Sequence, residues 1–353
     1  MTEVNEEKLN QFVGRMLGDI GAAMGAALVL VGDRLGLYKA MAEAGPLTPA
    51  ALAERTGTAE RYVREWLSAQ AAAGYAEYDA ASGTFSLTPE QSAIFADEGG
   101  PAFMGGAYDI VAAVLRDEPK ITEAFRSGKG VGWHEHHGCL FRGTERFFRT
   151  SYNHHLVSEW LPALDDVAGK LEKGARVADV GCGHGASTVL MAKAFPKSRF
   201  HGFDYHAPSI ERARQAAEAA GVADRCRFEV APAKEYPGRD YDLVAFFDCL
   251  HDMGDPVGAA RHVRDTLAKD GTWMIVEPFA HDHLHENLNP VGRLYYAAST
   301  MICTPASLSQ EVGLGLGAQA GEARLADVVK QGGFGRFRRA TATPFNLVLE
   351  ARV

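Results

Sequence analysis

From Ala175 onward the chain alternates strand-like runs, ARVADVG, SRFHGFD, RCRFEVA, YDLVAFFD and TWMIVEP, with amphipathic stretches. Strands separated by helical segments pair in parallel because only a long crossover can join them, and such a sheet is covered on both faces. The last stretch, GFGRFRRATATPFNLVLEARV, reads as two further strands joined by a turn. The reading is an α/β fold in which a mostly parallel, seven-stranded sheet is covered by helices on both sides.

At 353 residues with 46% hydrophobic residues the chain fills more than one core. Residues 6–31 suit a helix rich in small residues, among them Gly21, Ala22, Ala23, Gly25, Ala26 and Ala27, which would let a second helix approach closely. Its apolar run IGAAMGAALVLV lies between Asp19 and Asp33 and is too short to cross a bilayer. Next, Thr48 caps a helix with Pro49 at its first position and Gly57 at its end, and Thr58 is expected to cap a second helix whose Tyr62, Val63, Trp66 and Leu67 share a face. YAEYD and TFSLT then flank the turn ASG as a hairpin. Helix, turn, helix and hairpin resemble a winged-helix domain. Between Pro46 and Glu90, however, three arginines face six acidic residues, and the net charge is −9, so a phosphate backbone would be repelled. The expected division is 1–95 as helical dimerisation and winged-helix domain, 96–165 as helical connector and lid, and 166–353 as the α/β domain.

The first strand of the sheet runs into DVGCGHGA. Gly181, Gly183 and Gly185 satisfy a loose GxGxxG/A pattern that nicotinamide and flavin proteins share. Asp179, two residues ahead of Gly181, would repel a pyrophosphate but attract an ammonium group. Asp204 ends the next strand and is placed to accept from two ribose hydroxyls. DVGCGHG followed by FDYH resembles the motifs of class I S-adenosylmethionine-dependent methyltransferases, whose sheet is Rossmann-like, and the winged helix ahead of it narrows the resemblance to small-molecule O-methyltransferases. The resemblance implies S-adenosyl-L-methionine as cofactor, its methionine end on Asp179 and the Gly181–Gly185 backbone, its ribose on Asp204, with Tyr205 and Asp248 beside them. The chain departs from that family in having Ala231, Pro232 and Ala233 where relatives carry an aspartate for the adenine, and Phe247 where plant relatives carry a lysine.

Ligands of open α/β sheets sit at the carboxyl ends of the strands, where FFDCLHDMGDP follows the fourth strand of the sheet and IVEPF ends the fifth. His251 matches the family's general base, with Met253 in place of its tryptophan, and Glu277 matches the carboxylate that orients it; Gln319 stands where plant enzymes have a third acid. The expected function is O-methylation of a small-molecule hydroxyl. Methylation of carbon or nitrogen, a cofactor-binding regulator acting through the winged helix, and a nicotinamide enzyme are the alternatives. Two histidine-dense runs, WHEHHG to NHH and FAHDHLHE, have no metal-specific spacing, and no metal is expected. Five cysteines without a CxxC pair suit a reduced cytoplasm. A homodimer with a small-molecule acceptor as partner, and neither nucleic acid nor membrane, completes the reading.

Overall fold

The structure, a computed structural model, describes residues 4–353, which pack as two units, residues 4–113 with 138–150 and residues 114–137 with 151–353. The stretch read as connector and lid is thus shared between them.

The first unit begins with α1 (Glu6–Arg34), capped by the Asn5 side chain, which accepts from the Lys8 N–H at 2.9 Å. Only Ala26, Val29, Leu30 and Gly32 of α1 are buried. Gly32 lets α1 close on its own unit, because a Cβ there would lie 2.5 Å from Trp66 and 2.6 Å from Tyr38. The remainder exposes Phe12, Met16, Leu17, Ile20 and Met24 to solvent. The apolar run therefore belongs to a 29-residue helix that is, by length and composition alone, sufficient to cross a membrane, contrary to the shorter span expected from the run itself. Then come α2 (Leu37–Ala44), α3 (Pro49–Thr56) and α4 (Glu60–Ala72). Thr48 caps α3 through the Ala51 N–H at 3.2 Å, and Gly57 ends it at φ 63°. Thr58 does not cap α4: Ala59 holds that position, and the Thr58 hydroxyl bonds Thr56 at 2.8 Å instead. Nor does Tyr62 join the buried face, which Val63, Trp66, Leu67 and Gln70 form at i, i+3, i+4 and i+7; one step of the helix earlier, Tyr62 is 81% exposed. The hairpin follows as β1 (Glu77–Asp79) and β2 (Thr84–Ser86), with Tyr78 opposite Phe85.

The second unit holds the sheet: β3 (Arg176–Val180), β4 (Arg199–Asp204), β5 (Cys226–Val230), β6 (Tyr241–Phe247), β7 (Leu267–Pro278), β8 (Arg336–Ala342) and β9 (Asn346–Arg352). Their order is β5-β4-β3-β6-β7-β9-β8; β3 to β7 are parallel and β9 is antiparallel to both neighbours. The order turns back between β3 and β6, so the carboxyl ends of those strands open a crevice. Phe203, Phe246, Trp273, Ile275 and Leu349 are among the fully buried residues around the sheet, as strands covered on both faces require.

Candidate active site

Both halves of the site lie at the carboxyl ends of neighbouring strands. β3 ends at Val180 and the chain turns through Gly181, Gly183 and Gly185, all at positive φ (75°, 51° and 78°), into the helix Ala186–Ala194. Two of these positions need glycine for different reasons. A Cβ on Gly181 would press on Cys249 Sγ at 2.8 Å, whereas one on Gly183 would meet nothing within 4 Å, so the Gly183 backbone faces open space that a ligand can approach.

Asp179 is buried, and its Oδ2 accepts from the Ser187 hydroxyl at 2.7 Å and the Thr188 hydroxyl at 2.5 Å. Its Oδ1 is sealed from solvent and has no hydrogen-bond partner. Burial pushes the carboxyl up to about 6, against those two hydroxyl bonds and with a further push from Asp204. An orphaned carboxylate oxygen beside an open glycine backbone fits a ligand bearing an ammonium group. Asp204 accepts from the Gly183 N–H at 3.0 Å and from the His206 N–H at 2.8 Å, one on each oxygen. A carboxylate oxygen has two acceptor sites, so each retains one for a hydroxyl. Burial raises the Asp204 carboxyl as well. Tyr205 follows, 47% exposed, with His134 edge-on to its ring at 6.2 Å. These residues fit S-adenosylmethionine.

Past the end of β6, Asp248 adopts φ 50°, an uncommon backbone state for a residue with a side chain. Its Oδ2 accepts from the Tyr152 hydroxyl and its Oδ1 from the Asn346 amide, each at 3.0 Å, and burial lifts it to about 8. His251 and Glu277, both buried, are in contact: Nδ1 of the imidazole bonds Glu277 Oε2 at 2.5 Å, while Glu277 Oε1 accepts from the Leu250 N–H at 2.9 Å. The other ring nitrogen lies 3.1 Å from Asp252 Oδ1. Burial alone would depress His251, but the charges of Glu277 and Asp252 override it and hold the imidazole well above its ordinary value. The two flanking carboxylates favour the protonated ring, although the Asp252 Oδ1 contact does not form a hydrogen bond.

Asp252, Cys303 and Tyr152 were not legible as site residues. The ligand atoms of His251, Asp252 and Cys303 lie within 4.8 Å of one another, and burial, with the Asp252 charge, pushes the Cys303 thiol up to about 12. Cys303 and Tyr152 both belong to π-helical turns, Ser299–Cys303 and Tyr152–Trp160, where an extra residue per turn re-aims side chains away from the period a sequence reading assumes. Tyr295 is buried and donates to the Phe345 carbonyl at 2.9 Å. Gln319 donates to the Phe279 carbonyl at 3.0 Å. Among the described residues neither histidine run gathers three ligand-type side chains at one point.

Residues 171–322 match the family described as "Methyltransferase domain", and residues 22–96 match the "Rv2258c-like winged HTH domain". The chain thus carries a methyltransferase domain, with a winged-helix domain ahead of it in the sequence. It is 31% identical over 162 residues to 27-O-demethylrifamycin SV methyltransferase of Amycolatopsis mediterranei, a match covering 43% of this chain and 52%, about half, of that relative. With the mitomycin biosynthesis 6-O-methyltransferase of Streptomyces lavendulae it shares 25% over 263 residues, 71% of this chain and 73% of the relative. The fold is also that of mitomycin 7-O-methyltransferase (TM-score 0.69, 21% identity, 98% of this chain and 100% of that one) and of human N-acetylserotonin methyltransferase in complex with its methyl donor (0.71, 16%, 99% and 98%).

Proposed function

We propose that the chain methylates the oxygen of a small-molecule hydroxyl, with His251 as general base and Glu277 as its orienting partner. The observation that carries the reading is the buried contact between His251 and Glu277, which ties together the ends of β6 and β7 beside the glycine loop. When bound, S-adenosylmethionine supplies an activated methyl group. Asp179, the Gly181–Gly185 backbone, Asp204, Tyr205 and Asp248 would hold it, Asp248 being clamped by Tyr152 and Asn346. Glu277 keeps the Nδ1 proton in place, so the ring accepts the hydroxyl proton at the nitrogen now turned toward Asp252. Phenols, catechols and quinols, screened with S-adenosylhomocysteine release as the signal, are expected to include an acceptor; release with amine or carbon acceptors alone would overturn O-methylation. The Asp252 contact favours that second reading, in which His251 stays cationic and only positions the acceptor.

The same reading makes the protein a cytoplasmic homodimer that binds neither nucleic acid nor membrane. All five cysteines are free thiols, which suits a reducing compartment. On α4, Arg61 pairs with Glu65 and Arg64 with Glu60, so the helix that would meet DNA has its cations neutralised. A second copy covers the exposed apolar stripe of α1, where Gly14, Gly18, Gly21 and Gly25 meet nothing within 4 Å and leave room for close approach. Light scattering at micromolar concentration is expected to return twice the chain mass, and Leu17→Glu with Met24→Glu to return the single mass. A monomeric parent protein, or one that partitions into lipid vesicles, would contradict this assignment.

A further inference from the structure

At the opposite edge of the sheet from the methyl-transfer residues, the amino ends of β3, β4 and β5 surround a cavity of about 430 Å³. Parallel register gathers guanidinium groups there: Arg176 opens β3 opposite Arg199, which opens β4, and Arg225 and Arg227 flank Cys226 where β5 begins. Carboxylate partners are too few for them. Arg225 pairs with Asp224 at 3.2 Å and Arg227 with Glu229, which also faces His201 at 3.2 Å. Arg176 and Arg199 make no ion pair among the described residues. Arg176 lies over the Tyr241 ring at 5.4 Å, and Arg199 reaches only the Asp224 carbonyl, at 3.5 Å. Arg225 Nε is buried without any hydrogen-bond partner.

Four guanidinium groups round one hollow repel one another, and the buried N–H of Arg225 is left unsatisfied, in a protein whose net charge is −9. An anion with several oxygens answers both conditions. We propose that this cavity is a second binding site, for a compact phosphate-bearing anion of the size and charge of pyrophosphate. Guanidinium forks match phosphate oxygens in bidentate pairs, which a carboxylate of the same charge satisfies less fully. The volume exceeds what a single phosphate fills, and the Tyr241 ring, held under Arg176, forms a flat wall. Each strand separates this site from the methyl-transfer end by its own length, roughly 17 to 20 Å at about 3.3 Å per residue.

The test is calorimetric titration of the full chain with sodium pyrophosphate at low ionic strength, with S-adenosylhomocysteine saturating the glycine loop. One-site binding is expected, weakening as salt rises and weakening about tenfold or more in Arg199→Gln/Arg225→Gln, with S-adenosylhomocysteine affinity unchanged. Arg176→Gln, which removes a guanidinium without an ion pair, carries the same test if the double variant fails to fold. No binding at millimolar pyrophosphate, equal affinity in the variants, or equal or tighter binding of citrate or of a short oligonucleotide would overturn the proposal.

Discussion

His251→Ala is expected to lower turnover of a hydroxyl acceptor roughly 100- to 10,000-fold, the range for a lost general base, while S-adenosylhomocysteine binds as before. The structure adds a pH signature. A base acts only when deprotonated, and Glu277 and Asp252 hold His251 well above its ordinary value despite burial, so the rate should rise through an ionisation above about 6.5. Asp252→Asn removes one of the two carboxylates and should move that rise to lower pH; Glu277→Gln should move it likewise and cost some turnover through lost orientation. The same pairs stabilise the fold. Because the folded value exceeds the unfolded one, their contribution is complete below about 6.5 and fades as pH climbs through the raised value. A pH–rate profile on a good acceptor decides the matter. If His251→Ala keeps more than about a tenth of parent turnover, or keeps the parent's pH profile, the histidine is not the base.

Asp179→Asn is expected to weaken S-adenosylhomocysteine binding by roughly ten- to a hundredfold, because the buried Oδ1 loses the charge that an ammonium group needs. The carboxyl sits at about 6 in the free protein, so affinity should also fall as pH drops below that value, with proton release on binding there. The sign for stability is the same as that of His251, at a lower pH. A carboxyl raised on folding binds its proton more tightly in the folded chain, so the unliganded protein loses stability as pH rises from about 4 to 6. Ligand should accordingly raise the melting temperature more at pH 7.5 than at pH 5. Calorimetry in buffers of different ionisation enthalpy measures the proton, and a pH-independent affinity would detach Asp179 from the ligand.

Much of this architecture is written in local patterns. The alternation of strand-like runs with amphipathic stretches marks the parallel strands, and the Thr48, Pro49 and Gly57 signals mark α3 because each satisfies a backbone need within its own turn. The proximity of His251 and Glu277 follows from their positions at the ends of two strands that turn out to be neighbours. What escaped was set at a distance or by irregular geometry. Thr58 had a competing partner in Thr56, and Tyr62 lay one helical step from the face it was assigned. Asn346 reaches Asp248 across 98 positions, and Cys303 is delivered to His251 by a π-turn that breaks the period used to read helices. Asp252 follows His251 directly, yet its turn back toward the ring depends on the short helix Leu250–Asp252 and has no sequence signature.

The place of β9 bears on how the molecule is made. It is synthesised after every other strand of the sheet, yet it lies inside β8 and against β7, pairing Trp273 with Ala351 and Pro278 with Asn346. Until it emerges from the ribosome, the backbone of β7 is an open edge with one row of donors and acceptors unpaired, and the strand bearing Glu277 is half built. Loop closure over nearly eighty residues makes that pairing slow relative to the local hairpin of the first unit. During translation the winged-helix portion can therefore be finished while the catalytic half still presents a sticky ribbon, and quality-control machinery would meet the protein at that edge.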